Sequence, residues 1–338
     1  MEGSPSHTTK ANHAALFQPL SIGKLKLSNR IAVSPICTYA ANAHHEATHI
    51  HREHYRHLAS QHPGLVMIES TSIAPLAYIT PTDLGLSTDA QADAFKLVID
   101  EIHACGVKCC LQLSHPGAKS MPGGVFPFDP DAMSDAMITG VVRDFVSAAK
   151  RGVDVCHADF IEVACCNGNL LHSFLSLVTN HRRDKYGMVN GTKDGSLLLI
   201  EVIQAIKKEV AVPIFVKLAV CDNLKPDESL EHTAGLCQQL AMLADLIDVT
   251  SGGLNADSKS RYLLNHDRSI PGQVPLAIYV KKLVGDKCAV GCSGGLDRDI
   301  QQLNQFISRG DFDIAFIGKG FTETHQKNLM DSIAAALS

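Results

Sequence analysis

The feature that most constrains the fold is a regular alternation of short apolar runs with longer amphipathic segments. The apolar runs are short and rich in Val, Ile and Leu, as strands buried on both faces require. They lie at residues 31–34, 64–70, 107–113, 159–164, 213–219, 245–250, 288–293 and 312–318. Helical patterns lie at residues 53–61, 88–103, 134–157, 194–209, 228–243, 273–284, 297–308 and 322–337. This series of β/α units predicts an α/β fold, a (β/α)8 TIM barrel.

The alternative is a doubly wound parallel sheet. Such a sheet normally carries a GxGxxG motif after its first strand, and the chain has none there. Ahead of the first strand, residues 22–27 alternate around Gly23, which predicts a small N-terminal β-hairpin that caps one mouth of the barrel. Residues 1–15 are polar and predict a disordered tail. Residues 16–338 are then expected to form one domain.

Composition narrows the class of protein. The hydrophobic fraction is 45% and the charged fraction 19%, so a sizeable core can form. The net charge is −5 and no basic run occurs, which argues against a nucleic-acid or membrane-surface partner. No apolar run approaches the length of a membrane span. The 11 cysteines include no CxxC pair, which favours reduced thiols in a cytoplasmic protein.

The segment around His51 and His54 is rich in histidine and could be interpreted as a metal site. His51 and His54 could share one helix face, but no Cys or carboxylate joins them at the usual ligand spacing. The stretch therefore favours a polar loop followed by a helix start, and we predict no metal.

Polar residues follow the predicted strands and would converge on one rim of a barrel. They are Ser34, Cys37, Tyr39, Glu69, Ser70, Thr71, Gln112, His115, Cys165, Cys166, Asn167, Lys217, Thr250, Ser251 and Ser293. Carboxylates do not cluster among them, which disfavours a two-carboxylate hydrolase or a divalent-metal site. Taken alone, a cysteine in an apolar run such as that of Cys37 is more often an ordinary core residue than a functional one.

Glycine-rich segments end the last two predicted strands. Gly294-Gly295 and Gly318-Lys319-Gly320 can expose backbone N–H groups, and Lys319 adds a cation. Loops at these two positions of a barrel often bind phosphate, although two glycines can also form a plain turn. Together with the amide and hydroxyl groups of the rim, they indicate a phosphorylated organic cofactor.

Several motifs occur in a specific order along the chain. They are Leu16-Phe17-Gln18-Pro19-Leu20, Leu27-Ser28-Asn29-Arg30-Ile31, Ser34-Pro35-Ile36-Cys37-Thr38-Tyr39, Gln112-Leu113-Ser114-His115-Pro116-Gly117, His172-Ser173-Phe174-Leu175-Ser176 and Asn180-His181-Arg182-Arg183-Asp184-Lys185-Tyr186-Gly187. This pattern resembles the Old Yellow Enzyme family of FMN-dependent oxidoreductases, in particular its bacterial-type branch with a cysteine beside the flavin. The resemblance extends from about Leu16 to the C-terminus.

The resemblance implies FMN as the cofactor and assigns a set of contacts to it. By that resemblance, Gln112 hydrogen-bonds the pyrimidine edge, and Lys217 stands near N1 where the family usually has Arg. A lysine can still stabilise an anionic reduced flavin as a point charge. The remaining implied cofactor-binding residues are Ser34, Pro35, Ile36, Cys37 and Ser70 along the ring, and Gly294, Gly318 and Lys319 at the phosphate.

The chain departs from the family pattern at the substrate side. The family has His-x-x-His or His-x-x-Asn after the fourth strand, and here Ala164 replaces the first residue while Asn167 keeps the second. The tyrosine that usually donates a proton corresponds to Asn169, and an amide cannot act as a general acid near neutral pH. The implied substrate-binding residues are Tyr39, Ala164, Asn167 and Asn169, and the implied catalytic residues are Tyr39, Asn167 and Cys37.

The function that follows is an NAD(P)H-dependent FMN oxidoreductase acting on small molecules. Hydride would pass from NADPH or NADH through flavin N5 to an activated alkene, a quinone or oxygen. Two alternatives stay open: a non-catalytic or decayed flavin- or ligand-binding barrel, and a barrel enzyme in which Lys217 forms a Schiff base. A homo-oligomer is compatible with the sequence.

Overall fold

Eight parallel strands close into a barrel in the computed structural model of the protein. The structure describes residues 14–75, 77–120, 128–188, 195–224, 226–258, 270–323 and 328–338. Closure is set by β3 (Ile31–Val33), which pairs in parallel with both β4 (Leu65–Ser72) and β11 (Ile314–Ile317). The predicted (β/α)8 barrel is therefore confirmed.

The other strands follow in chain order around the barrel and pair with their sequence neighbours. They are β6 (Lys108–Ser114), β7 (Phe160–Cys165), β8 (Ile214–Cys221), β9 (Leu246–Ser251) and β10 (Ala289–Ser293). A further short strand, β5 (Leu84–Gly85), pairs with the end of β4. Each barrel strand lies within two or three residues of the apolar run that predicted it.

Amphipathic helices surround the barrel. They are α1 (His49–Ala59), α2 (Asp89–Ala104), α3 (Asp135–Lys150), α4 (Leu170–Leu175), α5 (Leu197–Glu209), α6 (Pro226–Leu240), α7 (Val274–Val284), α8 (Ile300–Arg309), α9 (Lys319–Glu323) and α10 (Leu329–Leu337). Ser134 caps α3 by accepting from the Met137 N–H at 3.3 Å, as its sequence position indicates.

Two predicted helices differ from the structure at their ends. The helix predicted over 134–157 ends as a π-turn at Arg151–Val155, where Gly152 lies against the barrel; a Cβ on Gly152 would be 3.1 Å from Ile161 and Leu111 side-chain atoms. The single C-terminal helix predicted over 322–337 is two helices, α9 and α10, separated by residues that include 324–327 outside the described ranges.

The predicted hairpin is β1 (Leu20–Ile22) and β2 (Leu25–Leu27), which pair antiparallel. Gly23 turns the chain with φ +56°, and a Cβ there would be 3.0 Å from Pro213, which directly precedes β8. The hairpin therefore closes the barrel mouth at the amino ends of the strands. Its apolar side chains join an interior cluster that includes Phe160, Phe215 and Phe316.

Of the predicted tail, residues 1–13 lie outside the described residues, and Ala15 begins the short 3-10 helix Ala15–Phe17. None of the 11 cysteines, all of which are described, forms a disulfide. Within the described ranges, the helices are too short or too polar to cross a bilayer.

Candidate active site

The segment after β3 is fixed to the barrel by a buried carboxylate. Glu69 accepts hydrogen bonds from the backbone N–H and, at 2.8 Å, from the hydroxyl of Thr38. His51 from α1 places Nε2 3.0 Å from the same hydroxyl, while its Nδ1 accepts from the Thr48 N–H at 3.0 Å. The tautomer that satisfies both bonds carries its proton on Nε2. These contacts hold residues 34–39 at the carboxyl-end rim.

Cys37 and Tyr39 lie on this segment in a direct side-chain hydrogen bond. The pKa of Cys37 is raised to about 12, mainly by burial and also by the carboxylates of Glu69 and Asp83. A hydrogen bond with the Ser70 backbone lowers this pKa by a smaller amount. The thiol is therefore neutral near pH 7. Tyr39 has a left-handed backbone, φ 54°, and its side chain is 57% exposed at the rim.

Beneath the rim lies a layer of polar side chains inside the barrel. Gln112 on β6 and Glu162 on β7 are cross-strand partners, and Nε2 of Gln112 donates to Oε2 of Glu162 at 2.6 Å. This bond fixes the amide orientation, so Oε1 of Gln112 is its remaining acceptor. Oε1 of Glu162 is fully buried and accepts no hydrogen bond from the described residues.

Lys217 on β8 and Asp248 on β9 are also cross-strand partners and form a buried ion pair. Ser293 at the end of β10 lies 3.3 Å from both the Lys217 ammonium and a carboxylate oxygen of Asp248. The polar layer thus runs over five adjacent strands. The apolar cluster around Phe160, Phe215 and Phe316 lies below it and excludes water.

The charged groups in this layer shift one another's pKa values. Burial raises the pKa of Glu162 to about 8, with Lys217 and the Gln112 hydrogen bond opposing and Asp248 adding to the rise. Burial also raises the pKa of Asp248, against the attraction of Lys217. Burial alone would lower the pKa of Lys217, but Asp248 and Glu162 outweigh it and the net direction is upward. Lys217 is therefore a stable cation.

The glycine-rich strand ends present open backbone at the same rim. Gly294 and Gly295 are exposed, with φ of 104° and 68°. Gly318 follows β11, and a Cβ on it would be 2.7 Å from the side chain of Ile36. Lys319 is exposed and begins α9. The predicted phosphate residues thus share one corner of the rim with the segment after β3.

These groups fit FMN by their chemistry. Gly294 and Lys319 offer backbone N–H groups and a cation to a phosphate. The free acceptor of Gln112 suits a ring N–H, and Lys217 is a fixed positive charge. Ile36, 38% exposed, offers apolar surface to a flat ring. Ser34 and Pro35 adjoin it along the same segment, and the Ser70 backbone hydrogen-bonds Cys37.

The opposite corner of the rim is apolar where the resemblance described above implies a polar pair. Ala164, Cys166 and Ala219 form a buried cluster, and Ala164 is the cross-strand partner of Lys217. Asn167 is exposed with φ 55°, and its carbonyl accepts from the Lys119 ammonium. Of the two polar positions expected here, only Asn167 carries a hydrogen-bonding side chain.

The side chains of Asn169 and of two nearby histidines form hydrogen bonds within the protein. Asn169 is buried and its Nδ2 donates to the Ser114 hydroxyl at 2.9 Å. Nδ1 of His115 accepts from the Gly117 N–H at 3.0 Å, and Nδ1 of His172 accepts from the Gly168 N–H at 2.9 Å. Burial lowers the pKa of both histidines to about 4. They are neutral near pH 7 and cannot supply a proton as imidazolium.

Sequence reasoning missed Glu162, Asp248 and His51 as parts of the site. A signal for the first two was available: along β7 and β9 they share the inward parity of Phe160 and Leu246, both in the barrel interior. His51 carried no comparable signal, because its partner Glu69 is on another element.

Comparisons with known proteins agree with this geometry. Residues 15–322 match the model of the NADH:flavin oxidoreductase / NADH oxidase family. An NADPH dehydrogenase of Listeria monocytogenes is 32% identical over 318 residues, which cover 90% of each chain. The old yellow enzyme of Trypanosoma cruzi has a similar fold, with a TM-score of 0.77 at 19% identity over 91% of this chain and 89% of that one. A 2-naphthoyl-CoA reductase structure gives a TM-score of 0.78 at 21% identity; it matches 90% of this chain, which spans 50% of that one.

Proposed function

Because the chain belongs to the NADH:flavin oxidoreductase / NADH oxidase family, as an FMN-dependent NAD(P)H oxidoreductase of the Old Yellow Enzyme type, we propose that it favours quinones or oxygen over simple enones as electron acceptors. FMN is its cofactor, and NADPH or NADH is its hydride donor. When bound, FMN supplies reversible two-electron hydride chemistry. The observation that carries the acceptor preference is the absence of a donor at Ala164.

The cofactor residues act by holding and polarising the ring. With FMN bound, Gln112 would accept from a ring N–H through Oε1, and Lys217 would supply a cation to the ring. The residues that would flank the ring are Ser34, Pro35, Ile36, Cys37 and Ser70. The residues that would bind the phosphate are Gly294, Gly318 and Lys319. The support is that these residues meet at one rim and that their donors and acceptors match those of FMN.

The residues that would contact the electron acceptor explain the preference for quinones or oxygen over enones. Reduction of an enone needs a donor that polarises its carbonyl and an acid that protonates the resulting carbanion. Asn167 gives one hydrogen bond, Ala164 gives none, and Asn169 is bonded to Ser114. Tyr39 is the remaining acid at the rim, through an exposed side chain whose pKa is raised, mainly by Cys37. Quinones and oxygen do not depend on this acid.

The test compares the two half-reactions by stopped-flow spectroscopy. Reduction of the flavin by NADPH or NADH should be fast, and reoxidation by cyclohexenone should be at least tenfold slower than by a quinone. Losing one activating donor costs about 10² to 10³ in rate by analogy with an oxyanion-hole donor. Fast reoxidation by cyclohexenone would contradict the proposal.

A gain-of-function variant sharpens the test. Ala164→His should raise the rate of reoxidation by cyclohexenone, and adding Asn169→Tyr should raise it further. Ala164→Leu is the matched control, because it adds volume without an N–H donor. An equal effect of Ala164→His and Ala164→Leu would show that the missing donor is not the cause.

The Schiff-base alternative is disfavoured by the state of Lys217. A Schiff-base lysine needs a depressed pKa, whereas Asp248 and Glu162 hold the pKa of Lys217 above its ordinary value. The non-catalytic alternative predicts a yellow protein that NADPH and NADH do not bleach under anaerobic conditions. Bleaching of the bound flavin excludes it.

A further inference from the structure

Glu162 is the one carboxyl group in the polar layer without a direct cation partner among the described residues. The side chain is 0% exposed, and one of its oxygens accepts from Gln112 at 2.6 Å. The other oxygen, Oε1, is buried and accepts no hydrogen bond from the part of the chain that the structure describes. Asp248 differs, because it pairs with Lys217 and accepts from the hydroxyl of Ser293. Glu162 therefore binds a proton more readily than Asp248 does.

The layer also has an unbalanced charge. It contains two carboxyl groups, Glu162 and Asp248, and one ammonium, Lys217. Among the described residues, the other titratable groups that face it are the thiols of Cys110 on β6 and Cys166 after β7, and burial raises the pKa of both. With both carboxyl groups ionised, the layer carries one net negative charge in a space from which water is excluded.

We propose that Glu162 is a positioning residue that orients Gln112 toward the flavin and takes up one proton when the flavin is reduced. The proposal rests on the placement of Gln112 and Lys217 beside the ring. Hydride transfer brings two electrons and one proton to the ring, leaves the nicotinamide oxidised and gives the reduced ring a negative charge. A second proton, from solvent, binds Oε1 of Glu162 and offsets that charge.

Proton uptake falls on Glu162 because it disturbs no existing bond there. Oε1 is the open oxygen, and Oε2 still accepts from Gln112 after protonation, so the amide keeps its orientation. Protonating Asp248 would instead weaken the ion pair with Lys217. The pKa of Glu162 is about 8, with burial as its main cause, so proton uptake on reduction is expected at mildly alkaline pH, where Glu162 is ionised before reduction.

The experiment measures the reduction potential of the bound flavin between pH 6 and pH 10. Below about pH 8, Glu162 is protonated in both redox states and the slope of potential against pH reports one proton. Above that, reduction takes up two protons, and the slope doubles until Glu162 is ionised in both states. Glu162→Gln should show the one-proton slope throughout. Asp248→Asn should move the start of the doubled slope to lower pH, because it removes a like charge.

Glu69→Gln is the matched control, since Glu69 is a buried carboxyl on β4, which β6 separates from β7, and it pairs with Thr38 and His51. It should keep the doubled slope. Reduced-minus-oxidised infrared spectra of the unmodified protein at pH 9 should gain a protonated-carboxyl C=O band, which Glu162→Gln lacks. A constant one-proton slope and no such band in the unmodified protein would overturn the proposal.

The same protein set separates this failure from a failure of the proposed site. If Gln112→Ala and Lys217→Met bind FMN as tightly as the unmodified protein, the placement of the ring is wrong. If Gln112→Ala, which removes no buried charge, weakens FMN binding while the slope never doubles, the site stands and only the role of Glu162 is wrong.

Discussion

Lys217→Met should destabilise the folded protein strongly, apart from any effect on the flavin. Lys217 is 7% exposed and its partner Asp248 is 0% exposed, so the pair belongs with buried rather than surface ion pairs. Removing one member of a buried pair typically costs about 3–5 kcal/mol, against about 0–1 kcal/mol at a surface. That range applies here, because Lys217→Met leaves the buried carboxyl group of Asp248 without its ion-pair partner.

The loss should depend on pH with a defined sign. Without Lys217, the folded-state pKa of Asp248 rises further above its unfolded value. The folded state then binds more protons than the unfolded state, and the free energy of unfolding falls as the pH rises between the two pKa values. The deficit of Lys217→Met relative to the unmodified protein should grow as the pH rises above about 4, the ordinary pKa of Asp in an unfolded chain, and shrink as the pH falls toward it.

Urea unfolding of the flavin-free proteins, followed by circular dichroism at several pH values, gives the measurement. Asp248→Asn and the double variant complete a cycle, in which the double variant should recover most of the loss. Lys217→Arg, which keeps the charge, is the conservative control. A deficit below about 1 kcal/mol at pH 7.5, or fully additive single losses, would refute the buried-pair argument.

Three further outcomes are expected. Gln112→Ala should raise the FMN dissociation constant about tenfold, the equivalent of one hydrogen bond, in a fluorescence titration; unchanged affinity would remove its assigned role. Cys37 should alkylate slowly with iodoacetamide between pH 7 and 9 and faster toward pH 11, because the pKa of its thiol is about 12; rapid labelling at pH 7, read by mass spectrometry, would contradict this. Tyr39→Phe should slow reoxidation by cyclohexenone at least tenfold without slowing flavin reduction; equal slowing of both steps would argue against Tyr39 as the acid.

The sequence predicted the barrel well because its signal is local. A strand buried on both faces must be apolar over its whole length, and a helix that covers it must repeat with a period of 3.6 residues. The runs at 107–113 and 159–164 therefore nearly coincide with β6 and β7. The C-terminal segment was wrongly predicted as one helix, although residues 322–328 are all polar and interrupt the apolar pattern between α9 and α10.

The site was predicted only in part, for a physical reason. Family motifs placed Gln112 and Lys217 at strand ends, and strand direction alone brings such ends to one rim. Which side chains bond one another depends on cross-strand register, which no local pattern carries. Register pairs Gln112 with Glu162 and Lys217 with Asp248, and it leaves Oε1 of Glu162 without a hydrogen-bond partner among the described residues. The barrel and the residue types at its rim could therefore be predicted from local patterns. Only the packing of the strands shows that Lys217 and Asp248 form an ion pair and that Glu162 keeps an oxygen that can bind a proton.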